Sequence, residues 1–82
     1  MEALEKAKKL ALYAKYKIRL KDPETLALEG RSPLQYYHES KQLKRELLMA
    51  GIEPQLLELP GDEIEHLIGE IIIRHQEEAR NV

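Results

Sequence analysis

The feature that most constrains this fold is an apolar stripe repeating every three or four residues in the last quarter of the chain. Its members are Ile64, Leu67, Ile68, Ile71, Ile72, His75 and Ala79. Because an α-helix has 3.6 residues per turn, this spacing puts all of them on one side. Asp62, three residues before Glu65, matches a capping box at the start. The pattern predicts an amphipathic helix over about residues 62–80, with the stripe in the core.

Two earlier stretches have the same helical periodicity. The first covers about residues 2–21, and its apolar stripe is rich in alanine: Leu4, Ala7, Ala11, Ala14 and Ile18. Small side chains allow a neighbouring helix to approach closely. The second stretch covers about residues 33–50, with Ser32 as the predicted N-cap and Pro33 at the first helical position. Gln35 is placed to complete a capping box with Ser32. Gly51 and Ile52 predict a Schellman motif at its end.

Short helical turns are predicted between the three main helices. Asp22 precedes Pro23, which ends the first helix, and the aspartate can cap a short turn that Gly30 ends. Residues 55–59 leave room for one or two turns before Pro60. The chain lacks Phe, Trp and Cys, and Val82 is the one valine, so strand formers are scarce. A strand over 16–20 alternates correctly but is short and lacks partners.

These patterns predict an all-α fold, a helical bundle with three main helices at about 2–21, 33–50 and 62–80. Residues 1–82 are predicted to form a single helical domain. The chain carries no pattern of a signal peptide and no apolar run long enough for a membrane span. We therefore expect no membrane association, and a cytoplasmic location.

The net charge of −2 conceals a division of charge along the chain. Residues 1–45 contain eleven Lys and Arg against six Asp and Glu, whereas residues 46–82 contain two against nine. The two halves can neutralise each other within one folded bundle or between subunits. The other interpretation is a basic surface for an anionic partner.

A basic face on the first helix supports a nucleic-acid hypothesis. Lys8, Lys15 and Arg19 align on the side away from the alanine stripe, with Tyr16 beside them. Such a face can contact phosphates, and an interleaved tyrosine can stack on bases. An ordinary solvated lysine face explains the same pattern. Nucleic-acid binding through these residues is kept as the alternative hypothesis.

No pattern in the chain predicts a catalytic site, a metal site or a cofactor. Glu63 and His66 have a spacing found in di-iron bundles, but a second such pair is missing, since Ile72 stands three residues before His75. Residues 36–40 combine hydroxyl and titratable groups, yet neighbouring side chains on a helix radiate about 100° apart. The four glycines are scattered and form no phosphate-binding loop. We therefore expect a protein that is not an enzyme.

Surplus apolar residues give the leading functional hypothesis. Leu34, Tyr37 and Leu48 lie off the main stripe of the second helix, and Ile73 lies off the stripe of the third, on the side of Gly69. Glycine within a helix tends to have a packing reason. A three-helix bundle needs one buried face on each outer helix, so these five residues predict a partner-binding surface. The predicted function is a small non-catalytic protein–protein interaction module, as a homo-oligomer, adaptor or regulatory subunit.

Overall fold

The computed structural model describes the backbone of residues 3–80 and the side chains of residues 4–74, 76 and 77. Five helices occupy this range: α1 Ala3–Leu20, α2 Pro23–Leu28, α3 Pro33–Met49, α4 Pro54–Leu57 and α5 Gly61–Arg80. No strand occurs within residues 3–80. The predicted all-α bundle of three main helices is confirmed, since α1 packs against both α3 and α5.

Two predicted N-caps are present at the starts of α2 and α3. The side chain of Asp22 accepts a hydrogen bond from the backbone N–H of Thr25 at 3.3 Å. Ser32 Oγ accepts one from the backbone N–H of Gln35 at 3.4 Å. The side chain of Gln35 does not return to Ser32 but donates to Glu39 Oε1 at 3.3 Å. The cap at Ser32 is therefore half of a capping box.

The predicted Schellman motif ends α3. Gly51 has a φ of +92°, and its N–H donates to the carbonyl of Leu48 at 3.1 Å. The N–H of Ile52 donates to the carbonyl of Leu47 at 3.0 Å. Gly30 ends α2 with a φ of +72°. Both glycines occupy the left-handed region that other residues rarely adopt.

The start of α5 differs from the sequence prediction. The helix begins at Gly61, and the N–H of Ile64 donates to the carbonyl of Pro60 at 3.1 Å, so Pro60 occupies the cap position. Asp62 was predicted as the N-cap, which is wrong. It lies within the first turn, where a carboxylate interacts favourably with the helix dipole.

Gly61 lies where α1 and α5 approach each other closely. A Cβ atom at this position would lie 2.6 Å from the carbonyl oxygen of Ala14 and 2.6 Å from Cγ1 of Ile18. Glycine therefore lets the start of α5 sit directly against α1. The alanine stripe indicated that a helix would approach here, but the sequence did not single out Gly61.

Helix α1 lies between the other two long helices. Its Lys9 and Tyr16 hydrogen-bond to side chains of α3, whereas Ala14 and Ile18 meet the start of α5. At 100° per residue, these two pairs lie on roughly opposite sides of α1. The core is shared by α1, α3, α4 and α5: Ala7, Leu10, Tyr13, Ala14, Leu47, Leu57, Ile64 and Ile68.

Lys17 of α1 forms hydrogen bonds to the end of α4. Lys17 Nζ donates hydrogen bonds to the backbone carbonyls of Leu57 and Leu59, both at 2.7 Å. These carbonyls lie at and just beyond the end of α4, where helical partners are missing. Burial lowers the pKa of Lys17 from its usual value. The ammonium stabilises a turn that contributes the fully buried Leu57 to the core.

The apolar stripe of α5 is buried only in its first half. Ile68 is 6% exposed, whereas Ile71 is 47% exposed, so the predicted core position of Ile71 is wrong. Ile72 is also exposed. About 15 Å separate Gly61, which packs directly on α1, from Ile71 along the helix axis. The side chains of His75 and Ala79, also assigned to the stripe, lie outside the described residues.

None of the helices in the described range combines the length and the apolar character that a membrane crossing requires.

Candidate interaction surfaces

One side of α3 is left uncovered by the rest of the chain. Its members recur at spacings of three and four residues and are all exposed: Leu34, Tyr37, Lys41, Arg45 and Leu48. We call this set the α3 outer face. Tyr36, Ser40 and Leu47, on the other side of the helix, are buried. The α3 outer face thus combines exposed apolar and exposed basic side chains.

The basic groups of the α3 outer face have no acidic partner among the described residues. Lys41 Nζ lies 4.7 Å from the centre of the Tyr37 ring, an arrangement that attracts the cation to the aromatic face. Arg45 forms no ion pair within the described part of the chain. The neighbouring Lys44 differs, since it pairs with Glu58 at 3.1 Å. Two positive charges therefore remain available around Tyr37.

A second uncovered side belongs to α5. Its members also recur at spacings of three and four residues: Asp62, His66, Gly69, Ile73 and Glu77. We call this set the α5 outer face. Ile73 is 56% exposed, and a Cβ at Gly69 would meet nothing within 4 Å. Gly69 therefore forms a notch one turn before an exposed isoleucine.

Carboxylates dominate the charge of the α5 outer face. Asp62 and Glu77 belong to it, and Glu65 and Glu70 flank it on either side. Glu70 Oε1 lies 3.5 Å from His66 Nε2. No described ion pair joins an α5 carboxylate to the basic first half of the chain. The acidic face of α5 is not neutralised by Lys or Arg of the described bundle.

The division of charge along the sequence is only partly balanced by ion pairs within the fold. Lys9 pairs with Glu46 at 3.2 Å, and Lys44 pairs with Glu58 at 3.1 Å. Both pairs join the basic half to the acidic half. They involve α3 and the end of α4, and not α5. These ion pairs do not neutralise the basic surface on α3 or the acidic surface on α5.

All five residues predicted to bind a partner lie on these two faces. Leu34, Tyr37 and Leu48 belong to the α3 outer face, and Gly69 and Ile73 belong to the α5 outer face. The two groups thus lie on different helices, and those helices do not form one of the main helix–helix contacts of the bundle. The acidic character of the α5 outer face was missed, although the spacing of Asp62, His66, Gly69, Ile73 and Glu77 signals it.

One of the basic residues predicted to form a face on α1 is engaged in an ion pair within the fold. Lys8 and Lys15 are exposed and lie on a side of α1 that no other long helix covers. Arg19 lies on the same side, but its guanidinium pairs with Glu29 at 2.6 Å. An anionic ligand would have to compete with that carboxylate.

Tyr16, the aromatic member of the predicted nucleic-acid face, is held between α1 and α3. Its hydroxyl donates to Glu39 Oε2 at 2.9 Å. Its ring packs edge-on against Tyr36, with 4.8 Å between the ring centres. Burial, together with the hydrogen bond to Glu39, raises the pKa of the Tyr16 phenol. Stacking on a base would require this ring to leave the helix interface.

The residues weighed as metal ligands do not converge. Among the described residues, no three His, Cys, Asp or Glu side chains are placed to share a metal ion. Glu63 and His66 line a shallow depression with Asp62 and Leu67. His66 has its acidic neighbour in Glu70, four residues later, in the ordinary helical ion-pair spacing.

Neither a model of a known protein family, nor a curated protein, nor a solved structure matches this chain. Its function is therefore inferred from the surfaces described above.

Proposed function

We propose that this chain is a small non-catalytic protein–protein interaction module that binds through the α3 outer face and the α5 outer face. The observation that carries the proposal is the exposure of Tyr37 and Ile73, 46% and 56%, on faces that the helices of the bundle do not cover. Lys41 and Arg45 on the face of Tyr37, and Asp62 and Glu77 on the face of Ile73, form no ion pair within the described part of the chain. Apolar groups within a charged rim are the usual composition of a protein-binding surface.

Tyr37 is the side chain from which most of the binding energy is expected. Aromatic residues are enriched among interface residues whose loss costs 2 kcal/mol or more. Lys41 Nζ lies 4.7 Å from the centre of the Tyr37 ring, and we expect this contact to favour one orientation of the ring. Less conformational entropy is then lost when a partner covers the ring. Leu34 and Leu48, one and three turns away on the same face, extend the apolar contact.

Site-specific photocrosslinking in the native host tests this function. A benzophenone amino acid in place of Tyr37 or Ile73 should form adducts with a protein partner, which mass spectrometry identifies. The same group at Lys15, exposed on the uncovered side of α1, is the matched control and should give few adducts. Equal adduct formation at all three positions, or none at any, would contradict the proposal.

Nucleic-acid binding through α1 remains the alternative, supported by the exposure of Lys8 and Lys15. Phosphate contacts weaken steeply with salt, so fluorescence anisotropy at low salt gives them the best chance to appear. We expect little oligonucleotide binding. Tight binding that Lys8→Glu with Lys15→Glu abolishes would favour the alternative.

A cytoplasmic location and a single domain for residues 1–82 stay predictions from the sequence.

A further inference from the structure

The two outer faces are complementary to each other. Lys41 and Arg45 give the α3 outer face a positive charge, whereas Asp62 and Glu77 make the α5 outer face negative. Each face also carries an exposed apolar centre, at Tyr37 and at Ile73. The lengths match, because Leu34 to Leu48 spans about 21 Å and Asp62 to Glu77 about 22 Å of helix.

From this complementarity we propose that the chain assembles with copies of itself head to tail, with the α3 outer face of one copy against the α5 outer face of the next. The inference rests on the proposed function and names its partner as a second copy. Pairing of two α3 outer faces would oppose Lys41 and Arg45 to like charges. Pairing of two α5 outer faces would oppose carboxylates. Only the mixed pairing joins opposite charges.

An antiparallel register matches the residues of the two faces. Four pairs then oppose each other: Leu34 with Ile73, Tyr37 with Gly69, Lys41 with Glu65, and Arg45 with Asp62. The first pair is apolar, and the last two are ionic. In the second pair, the Tyr37 ring fills the space left by the missing side chain at Gly69. This is the knobs-into-holes packing of facing helices. A parallel arrangement with Tyr37 at Gly69 would pair Arg45 with Glu77 but place Lys41 against Ile73, so it gains one ion pair where the antiparallel register gains two.

The position of the faces determines the kind of assembly. The two outer faces lie on different helices, α3 and α5, and the proposed contact joins one kind of face to the other. The contact is therefore heterologous, and each copy retains one unused face after its first association. Such contacts build rings or open chains and do not stop at a symmetric dimer.

Sedimentation equilibrium with complementary blocked variants tests the proposal. Tyr37→Glu blocks the α3 outer face and Ile73→Glu blocks the α5 outer face, since each places a charge in a desolvated contact. Wild-type protein should increase in average mass with concentration beyond the dimer. Each variant alone should associate about tenfold or more weakly than wild type. An equimolar mixture should form a one-to-one dimer, because one intact α5 outer face then meets one intact α3 outer face.

The controls separate loss of contact from loss of fold. Leu28→Glu, at an exposed position on α2, should assemble as the wild type does. Circular dichroism should show unchanged helix in all variants. If Tyr37→Glu or Ile73→Glu loses helix, Arg45→Glu and Asp62→Lys replace them, since they change exposed charges on the same faces.

Two results would overturn head-to-tail assembly. A mixture that stays monomeric contradicts the pairing of the two faces, even if the wild type dimerises by another contact. A wild type that is monomeric at all concentrations contradicts self-association. Face-specific crosslinks to a different protein would then leave the proposed function standing, whereas the absence of crosslinks would remove both.

Discussion

Ile68→Ala should lower the free energy of unfolding by about 2–5 kcal/mol, whereas Ile71→Ala should lower it by less than about 1 kcal/mol. The two residues are neighbours on the apolar stripe of α5, but Ile68 is 6% exposed and Ile71 is 47% exposed. Truncation at Ile68 leaves a cavity among core side chains. At Ile71 water already reaches the side chain. Urea unfolding followed by circular dichroism, at a concentration where the protein is monomeric, measures both losses.

The comparison tests where the core ends along α5. Equal large losses at the two positions would mean that the bundle covers Ile71 and that the stripe is buried throughout, as the periodicity alone suggested. A small loss at Ile68 would mean that α5 does not pack against α1 as described.

Gly61→Ala should lower the free energy of unfolding by about 1–3 kcal/mol, the usual range for overpacking. Its new methyl group would lie 2.6 Å from the backbone carbonyl oxygen of Ala14, an atom that cannot move without displacing α1. The start of α5 would have to shift, and the contact with Ile18 would be lost. Thermal and urea unfolding both measure the effect.

Gly69→Ala is the matched control for this substitution, because it adds the same methyl group within the same helix. Nothing lies within 4 Å of a Cβ at Gly69, and alanine favours helix by about 1 kcal/mol over glycine. We expect the monomer to gain stability. A loss at Gly69 similar to that at Gly61 would show that the effect comes from the helix backbone and not from contact with α1.

Local signals in the sequence predicted the helices well. Ser32, Asp22 and Gly51 act on backbone groups within a few residues, so their roles as caps follow from sequence spacing alone. The cap of α5 lies two residues earlier than expected, because Pro60 occupies the position that Asp62 was expected to fill. Both residues suit a helix start, and the packing of Gly61 against Ala14 favours the earlier one.

Burial and contacts that depend on neighbouring helices could not be predicted from local sequence signals. The stripe from Ile64 to Ile72 is continuous in sequence, but its exposure depends on where the other helices end. No local signal in the sequence showed that Gly61 packs against Ala14 and Ile18. The five residues predicted to bind a partner were identified because they lay off the main stripes. Their separation into two faces of opposite charge follows from the position of α1 between α3 and α5.

Hydroxyl-radical footprinting of Tyr37 and Ile73 tests most directly whether the two outer faces are binding surfaces. In dilute purified protein both side chains should react with the radical, as their exposure requires. In concentrated protein or in an extract of the native host, both should become protected, while Leu28, 88% exposed on α2, should react as before. Equal reactivity of Tyr37 and Ile73 under all conditions would contradict binding through these faces. Protection already present in dilute monomer would place both residues in the core.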